Sequence, residues 1–198
     1  QTTAHARASH GYDESATQSN GLVLVSAPSP GFARPPREGA EKLGAARRFL
    51  MSGTEIKQRL AAILAADAAG YSRLMSSDER ATITSLDAAR AVFVARTTAN
   101  QGRIVDTAGD SVLAVFETAA GALIAALQIQ TALAEAHKKL PVTQHMQFRI
   151  GIHLGDMMEK TDGSVYGDGV NIAARLQALA EPGHITVSDA MHGAVRGK

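Results

Sequence analysis

The sequence contains no cysteine among its 198 residues. This absence excludes disulfide bonds, zinc thiolate sites and thiol nucleophiles, and it is typical of proteins from a reducing compartment. We therefore expect a cytoplasmic protein. Because 45% of the residues are hydrophobic, a chain of this length can bury one full core without cross-links.

The sequence also lacks an excess of charge and a long apolar run. The formal net charge is +1, and no run of lysine or arginine gives the electrostatic footprint of a protein that binds nucleic acid or an anionic membrane. The longest apolar stretches reach about half of a membrane span. We therefore expect neither nucleic-acid binding nor membrane insertion.

Proline is scarce outside the start of the chain. Four of the six prolines are Pro28, Pro30, Pro35 and Pro36. Residues 1–50 are rich in small and polar residues and have little periodic apolar surface, which predicts a disordered or loosely packed tail. Met51 is a candidate natural start, and residues 51–198 form the predicted domain.

Strand and helix patterns alternate from residue 57 onward. Short apolar runs rich in β-branched residues predict strands, and longer runs with helical spacing and capping residues such as Ser77 and Asp78 predict helices. This order predicts an α+β fold, an αβ sandwich with a ferredoxin-like, mostly antiparallel sheet and helices on one face. The predicted elements are strand 59–67, helix 76–102, the hairpin strands on either side of Gly109-Asp110, helix 118–140, strand 147–159, helix 167–183 and strand 184–189.

Four segments follow one another within this pattern: "ILAADAAGYSRLM", "GRIVDTAGDSVLAVF", "FRIGIHLGD" and "YGDGVNIAARLQALAEPGHITVS". In this order they resemble the catalytic domain of class III adenylate and guanylate cyclases of the bacterial type. The resemblance implies conversion of ATP or GTP to a 3′,5′-cyclic nucleotide and pyrophosphate. It also implies a head-to-tail homodimer in which each active site takes residues from both chains.

Asp67 and Asp110 match the metal-binding aspartates of this family. Nucleotide cyclisation needs two hard cations, Mg²⁺ or Mn²⁺, between the attacking hydroxyl and the phosphates. Asp67 ends the first strand and Asp110 lies in the hairpin, so the two meet if that strand lies beside the hairpin. The alternative is that Asp67 caps a helix and Asp110 fills a turn.

The segment "AAGYS" after Asp67 begins a helix and consists of small residues at its start. Backbone N–H groups of Ala69, Gly70 and Tyr71 are therefore candidates to bind the β- and γ-phosphates at a helix N-terminus.

Asn171 and Arg175 lie one helical turn apart and project from one face. The resemblance implies that Asn171 orients the ribose and that Arg175 stabilises charge on the transferring phosphate, both from the partner chain. An arginine fork suits that role because it fixes donors where negative charge accumulates. The alternative is an exposed arginine and an asparagine near a helix start.

The sequence departs from the best-known adenylate cyclases at the two positions that contact the base. Those enzymes have lysine and aspartate where this chain has Asp106 and Ser164. Asp106 accepts hydrogen bonds only, so it suits the amino group of adenine and also the N–H donors of guanine. ATP and GTP both remain candidates, with ATP preferred. The chain ends where the family usually continues with another β-hairpin, so we expect a C-terminally shortened domain with weakened or absent nucleotide binding.

Two other function classes remain open. Gly-Asp-Ser at 109–111 and "DAMH" at 189–192 resemble blocks of GDSL-type serine esterases, in which Ser111 would be the nucleophile, His192 the base and Asp189 its orienting partner. The Gly-x-Asn-Asp block of that family is absent. The other class is an inactive nucleotide-binding or dimerisation module. The histidines at 137, 145, 153 and 184 lack the spacing of a helical metal site.

Overall fold

The computed structural model describes residues 22–24 and 56–197. The predicted tail over residues 1–50 therefore lies outside the described residues, except that Leu22–Leu24 form a short strand. From residue 56 onward the predicted strands and helices occur in the predicted order, and the structure adds a short strand at Val165–Tyr166 and a last helix at Asp189–Val195 that were not predicted. The elements are β1 (Leu22–Leu24), β2 (Ile56–Ala68), α1 (Tyr71–Ser77), α2 (Glu79–Ala99), β3 (Gly102–Asp106), β4 (Ser111–Phe116), α3 (Ala119–His137), a 3₁₀ turn (Val142–Gln144), β5 (Phe148–Lys160), β6 (Val165–Tyr166), α4 (Asp168–Leu179), β7 (Ile185–Val187) and α5 (Asp189–Val195).

The seven described strands form one sheet with β2 near its centre. Their order is β1-β7-β5-β2-β4-β3, and the short strand β6 pairs with β5. β2 runs antiparallel to both of its neighbours, whereas β7 runs parallel to β1 and β5. The predicted α+β fold with a mostly antiparallel, ferredoxin-like sheet is confirmed.

The two faces of β2 enter two different apolar clusters. Ala62, Leu64 and Ala66 pack in the larger cluster, with side chains from α1, α2, α3 and α5. Ala61 and Ile63 point the other way, as alternation along a strand requires, and they share the smaller cluster with residues of α4. The sequence predicted helices on one face only, and in this detail the structure differs because α4 covers the opposite face.

Gly151 on β5 explains how α4 can lie on that face. A Cβ at this position would be 2.2 Å from the backbone nitrogen of Gln177 and 2.4 Å from the carbonyl oxygen of Ala173. Only glycine permits such a close approach of helix and strand. The helix therefore packs its buried residues Gly169, Ala173 and Leu176 towards the sheet, and its other side stays exposed.

The long helices begin at side-chain caps. Asp78 caps α2, as predicted, because its Oδ1 accepts a hydrogen bond from the Ala81 nitrogen at 3.0 Å. Thr118 caps α3 in the same way, with the Gly121 nitrogen as donor at 3.0 Å. Each cap satisfies a backbone N–H that has no partner inside the helix.

Helix α3 has the length and apolar composition of a membrane span, the only such helix in the described part of the chain. Only 28% of its apolar stretch is buried. The side chains that are buried recur at helical spacing and lie in the larger core cluster. The helix therefore forms part of the domain core. The buried residues are Ala122, Ala125, Ala126, Ile129 and Leu133.

Candidate active site

The structure brings Asp67 and Asp110 to the same end of the sheet. Asp67 is the next-to-last residue of β2 and pairs with Ser111 of β4. The Ala68 nitrogen donates a hydrogen bond to the Asp110 carbonyl oxygen at 3.2 Å, and Gly109 makes the hairpin turn with a φ of 57°. The adjacency that the sequence predicted is therefore present, because β2 does lie beside the hairpin.

Arg149 occupies both carboxylate oxygens of Asp67. Arg149 pairs with Asp67 across the β2–β5 ladder, and its Nε and Nη2 donate to Oδ1 at 2.9 Å and to Oδ2 at 2.5 Å. These hydrogen bonds raise the pKa of Arg149, and the charges of Asp67 and Asp110 raise it further. The guanidinium thus supplies a positive charge beside both carboxylates.

Sequence inspection missed Arg149, although it lies in one of the four matching segments. The available signal was its position in a strand, "FRIGIHLG", whose other residues are apolar or glycine apart from His153. A charged side chain in a central strand requires a partner. Nothing in the sequence states which strand residue lies opposite it.

The Asp110 carboxylate has a different environment. It accepts no hydrogen bond from the described residues, although its charge acts on Arg149. The described residues also contain no group of three or more histidine, aspartate or glutamate side chains that could hold a metal ion. A cation at this site would therefore have two carboxylates from this chain and further oxygen ligands from elsewhere.

The turn after β2 offers fewer phosphate donors than predicted. The Ala69 N–H donates to the Gln147 carbonyl oxygen at 2.8 Å, so it is already engaged. Gly70 has a φ of 70° and precedes α1. Gly70 and Tyr71 retain N–H groups at the start of α1, where no preceding turn of helix provides an acceptor.

Asp106 lies at the end of β3, beside α4. Its Oδ1 accepts a hydrogen bond from the Thr107 nitrogen at 2.8 Å. The residue lines a cavity of about 170 Å³ together with Ser111 and with Val170 and Ala174 of α4. The carboxylate is therefore next to a space with mostly small apolar walls.

Ser164 lies at the tip of the hairpin between β5 and β6. Its nitrogen and its Oγ both donate to Asp162 Oδ1, at 2.9 Å and 2.5 Å, and these bonds lower the pKa of Asp162. The described residues contain no hydrogen bond between Ser164 and Asp106. The two positions expected to contact the base therefore lie on separate elements.

Asn171 and Arg175 project from the exposed side of α4. Both residues are exposed, and neither side chain has a hydrogen bond or an ion pair with any described residue. Neither side chain reaches Asp67 or Asp110. Within one chain, the structure thus brings together the two aspartates but not the asparagine and arginine expected to act with them.

The structure does not assemble the serine, histidine and aspartate of the esterase alternative. Ser111 begins β4 and faces the cavity beside α4, whereas His192 and Asp189 belong to α5, which packs on the opposite face. β4 and β7 are also three strand spacings apart, about 14 Å. The arrangement therefore lacks the hydrogen bond between nucleophile and base that this chemistry requires.

The four remaining histidines have local partners at three separate places, and His184 Nδ1 lies 3.1 Å from the Pro182 carbonyl oxygen. The rings of His137 and His145 stack with centroids 4.7 Å apart. His153 Nδ1 lies 2.9 Å from Ser188 Oγ, and burial lowers its pKa. These contacts serve local packing.

Comparison with known proteins gives a family match for this chain. The family model "Adenylate and Guanylate cyclase catalytic domain" matches residues 56–197. The "Putative adenylate cyclase 3" of Rhizobium meliloti (strain 1021) is 45% identical over 149 residues, 75% of this chain. The match spans only 25% of the length of that relative.

Solved structures extend the comparison to the fold. An adenylate/guanylate cyclase/hydrolase from Silicibacter pomeroyi is 44% identical with a TM-score of 0.65, over 70% of this chain and 81% of that chain. The adenylyl cyclase CyaB from P. aeruginosa, 19% identical, shares the fold with a TM-score of 0.64 over 72% of this chain and 83% of that chain. The chain belongs to the family of adenylate and guanylate cyclase catalytic domains, a class of nucleotide cyclase enzymes.

Proposed function

We propose that this domain converts ATP to 3′,5′-cyclic AMP and pyrophosphate at the interface of a homodimer. The ribose 3′-oxygen forms a bond to the α-phosphorus, and the bond from that phosphorus to the oxygen bridging the β-phosphate breaks. Pyrophosphate leaves, and the hydroxyl proton passes to solvent. Membership of the cyclase family supports nucleotide cyclisation as the reaction, and the choice of ATP as the substrate is our proposal.

One observation carries the proposal of a shared site. Asp67 and Asp110 lie side by side at the end of β2, whereas Asn171 and Arg175 are exposed on α4 without a partner among the described residues. A two-fold dimer presents each such surface to the other chain and creates two equivalent sites. We therefore infer that each site combines the aspartates of one chain with the asparagine and arginine of its partner.

The donor set fits two divalent cations such as Mg²⁺ or Mn²⁺. Carboxylate oxygens are the ligands that these hard cations prefer, and substrate phosphates usually complete their coordination. Arg149 uses two acceptor positions of the Asp67 carboxylate, and about four exist, so Asp67 can still bind a cation. Two such ions, when bound, neutralise charge on the triphosphate and activate the 3′-hydroxyl.

The remaining residues bind and orient the substrate. Gly70 and Tyr71 supply backbone N–H groups for the β- and γ-phosphates. Asn171 holds the ribose so that its 3′-oxygen faces the α-phosphorus. Arg175 places a fixed fork of donors on the phosphate oxygens, where negative charge increases during transfer. Arg149 keeps the Asp67 carboxylate in one orientation.

A guanylate cyclase is the second candidate because of Asp106. We propose that Asp106 and Ser164 contact the base. A carboxylate accepts a hydrogen bond from the adenine amino group, but it can also accept from the two N–H donors of guanine. The small apolar cavity beside Asp106 suits either ring. The base preference therefore has to be measured.

A product assay tests these functions together. The protein is incubated with ATP or GTP, each with Mg²⁺ or Mn²⁺, and cyclic products are identified by mass spectrometry beside a p-nitrophenyl ester control. We expect cyclic AMP as the main product and no ester hydrolysis. Nucleotide binding without any cyclic product would instead favour the inactive binding or dimerisation module.

A further inference from the structure

Arg103 connects β3 to the hairpin between β5 and β6. Its Nη1 donates a hydrogen bond to the Gly163 carbonyl oxygen at 3.0 Å, and its Nη2 donates to Glu159 Oε1 at 2.5 Å. β3 and β5 are not neighbours in the sheet, because β4 and β2 lie between them. The arginine therefore reaches across the face of the sheet to a hairpin with which its own strand does not pair.

The tip of this hairpin is held by hydrogen bonds within the hairpin and by one from Arg103. The tip closes on itself, because the Gly163 nitrogen donates to Lys160 O at 2.9 Å and the Lys160 nitrogen donates to Ser164 O at 3.0 Å. Asp162 accepts the two hydrogen bonds of Ser164. Among described residues, the bond from Arg103 is the only hydrogen bond that joins residues 161–164 to a part of the chain outside the β5–β6 hairpin.

The two ends of this connection carry the two positions proposed to contact the base. Asp106 follows Arg103 by three residues in β3, and Ser164 directly follows Gly163. We propose that Arg103 is a positioning residue that sets the separation of Asp106 and Ser164 and thereby the purine selectivity of the domain. The inference rests on the proposed function, since it concerns the nucleotide base of that reaction.

Arg59 provides a matched control within the same charged cluster. Its Nε lies 2.8 Å from Glu159 Oε2, and its Nη1 lies 3.6 Å from Glu117 Oε1. The side chains of Arg59 and Arg103 are 33% and 38% exposed. Both arginines contact Glu159, but only Arg103 donates to the hairpin tip. Arg59→Met therefore removes one positive charge from the cluster and leaves the bond to Gly163 in place.

The experiment measures KM and kcat for ATP and for GTP in wild type, Arg103→Met, Arg103→Lys and Arg59→Met. We expect Arg103→Met to raise KM for the preferred nucleotide about tenfold, the effect of one lost charge-assisted hydrogen bond, with little change in kcat. The ratio of kcat/KM between the two nucleotides should move towards one. Arg103→Lys can still donate to Gly163, so its ratio should lie between those of Arg103→Met and wild type. Arg59→Met should have the wild-type ratio.

Amide hydrogen exchange supplies a readout that does not depend on activity. Residues 161–164 should exchange faster in Arg103→Met than in wild type, and at the wild-type rate in Arg59→Met. Equal kinetics and equal exchange in the two methionine variants, with an active wild type, would overturn the positioning role. A wild type that forms no cyclic product would overturn the proposed function and the selectivity role with it, and exchange would still report whether Arg103 holds the hairpin.

Discussion

Arg149 holds both carboxylate oxygens of Asp67, at 2.9 Å and 2.5 Å, across the β2–β5 ladder. The Asp67 side chain is only 20% exposed, so loss of the arginine leaves a poorly solvated charge. We expect Arg149→Met to lower the free energy of unfolding by about 1–2 kcal/mol. Mn²⁺ should then raise the unfolding temperature more in the variant than in wild type, because the cation replaces the lost positive charge. Thermal unfolding with and without MnCl₂ measures both effects.

Arg59→Met is the control for this experiment. Arg59 forms an ion pair with Glu159 and has a similar exposure, 33% against 31% for Arg149, but it lies far from the two aspartates along β2. Its loss should not change the response to Mn²⁺. An equal Mn²⁺ response in all three proteins would show that the cation does not bind where Arg149 meets Asp67.

The neighbourhood of Asp67 and Asp110 could be predicted because local signals determine it. A strand that ends in aspartate and a Gly109-Asp110 turn each have a short-range pattern, and a hairpin beside the central strand brings them together. Arg149 could not be placed in the same way. Its role depends on the register between β2 and β5, and register depends on how the whole sheet packs.

The position of α4 escaped prediction for a related reason. Its helical pattern is clear from the sequence, but a strand that is buried on both faces, such as residues 61–66, does not show which face each helix covers. Gly151 permits a close approach of α4 to β5, but the sequence does not show which helix approaches this glycine. The element was therefore predicted, and its side of the sheet was not.

Asp110→Asn should abolish Mn²⁺-dependent cyclisation, to below about 1% of wild type. Asparagine keeps the shape of the side chain but removes the charge that a cation requires. The fold should be unaffected, because the carboxylate accepts no hydrogen bond from the described residues and asparagine is tolerated in turns. Activity assays and thermal unfolding of the same preparation measure the two effects.

Asp87→Asn is the matched control for Asp110→Asn. Asp87 is an exposed carboxylate on α2, with a side chain that is 67% exposed and paired only loosely with Arg90 at 3.6 Å. This variant should keep wild-type activity. Comparable activity of the Asp110 and Asp87 variants would remove Asp110 from the proposed metal site.

Stability should decrease as the pH falls below about 6.5, the usual pKa of histidine. Burial lowers the pKa of His153, and burial together with the charge of His145 lowers that of His137. The unfolded chain then binds protons that the folded domain does not, so the free energy of unfolding falls between pH 6.5 and the lower folded pKa values. His153→Gln should reduce this dependence, measured by urea unfolding between about pH 7 and pH 5.

His184→Gln serves as the comparison in the same pH series. Its Nδ1 lies 3.1 Å from the Pro182 carbonyl oxygen at the protein surface. If both glutamine variants reduced the pH dependence equally, burial of His153 would not be its cause.

Ser111→Ala should leave cyclase activity within about twofold of wild type and should not alter ester hydrolysis, which we expect to be absent. Ser111 begins β4, whereas His192 lies on α5, which packs on the opposite face of the sheet. The strand that precedes α5, β7, is three strand spacings from β4, about 14 Å. Assays of nucleotide cyclisation and p-nitrophenyl ester hydrolysis measure both activities. Ester hydrolysis by wild type that disappears in Ser111→Ala would contradict this assignment.

Complementation between two inactive variants tests whether the site is shared. Asp110→Asn and Arg175→Ala homodimers should each be inactive, because every site in them carries one lesion. Mixed dimers place both lesions in one site and leave the other intact. With random exchange at equal amounts about half of the dimers are mixed, so about a quarter of wild-type activity should return by two-fold symmetry. A mixture that stays inactive after subunit exchange has been demonstrated would show that Asp110 and Arg175 do not meet across a dimer interface.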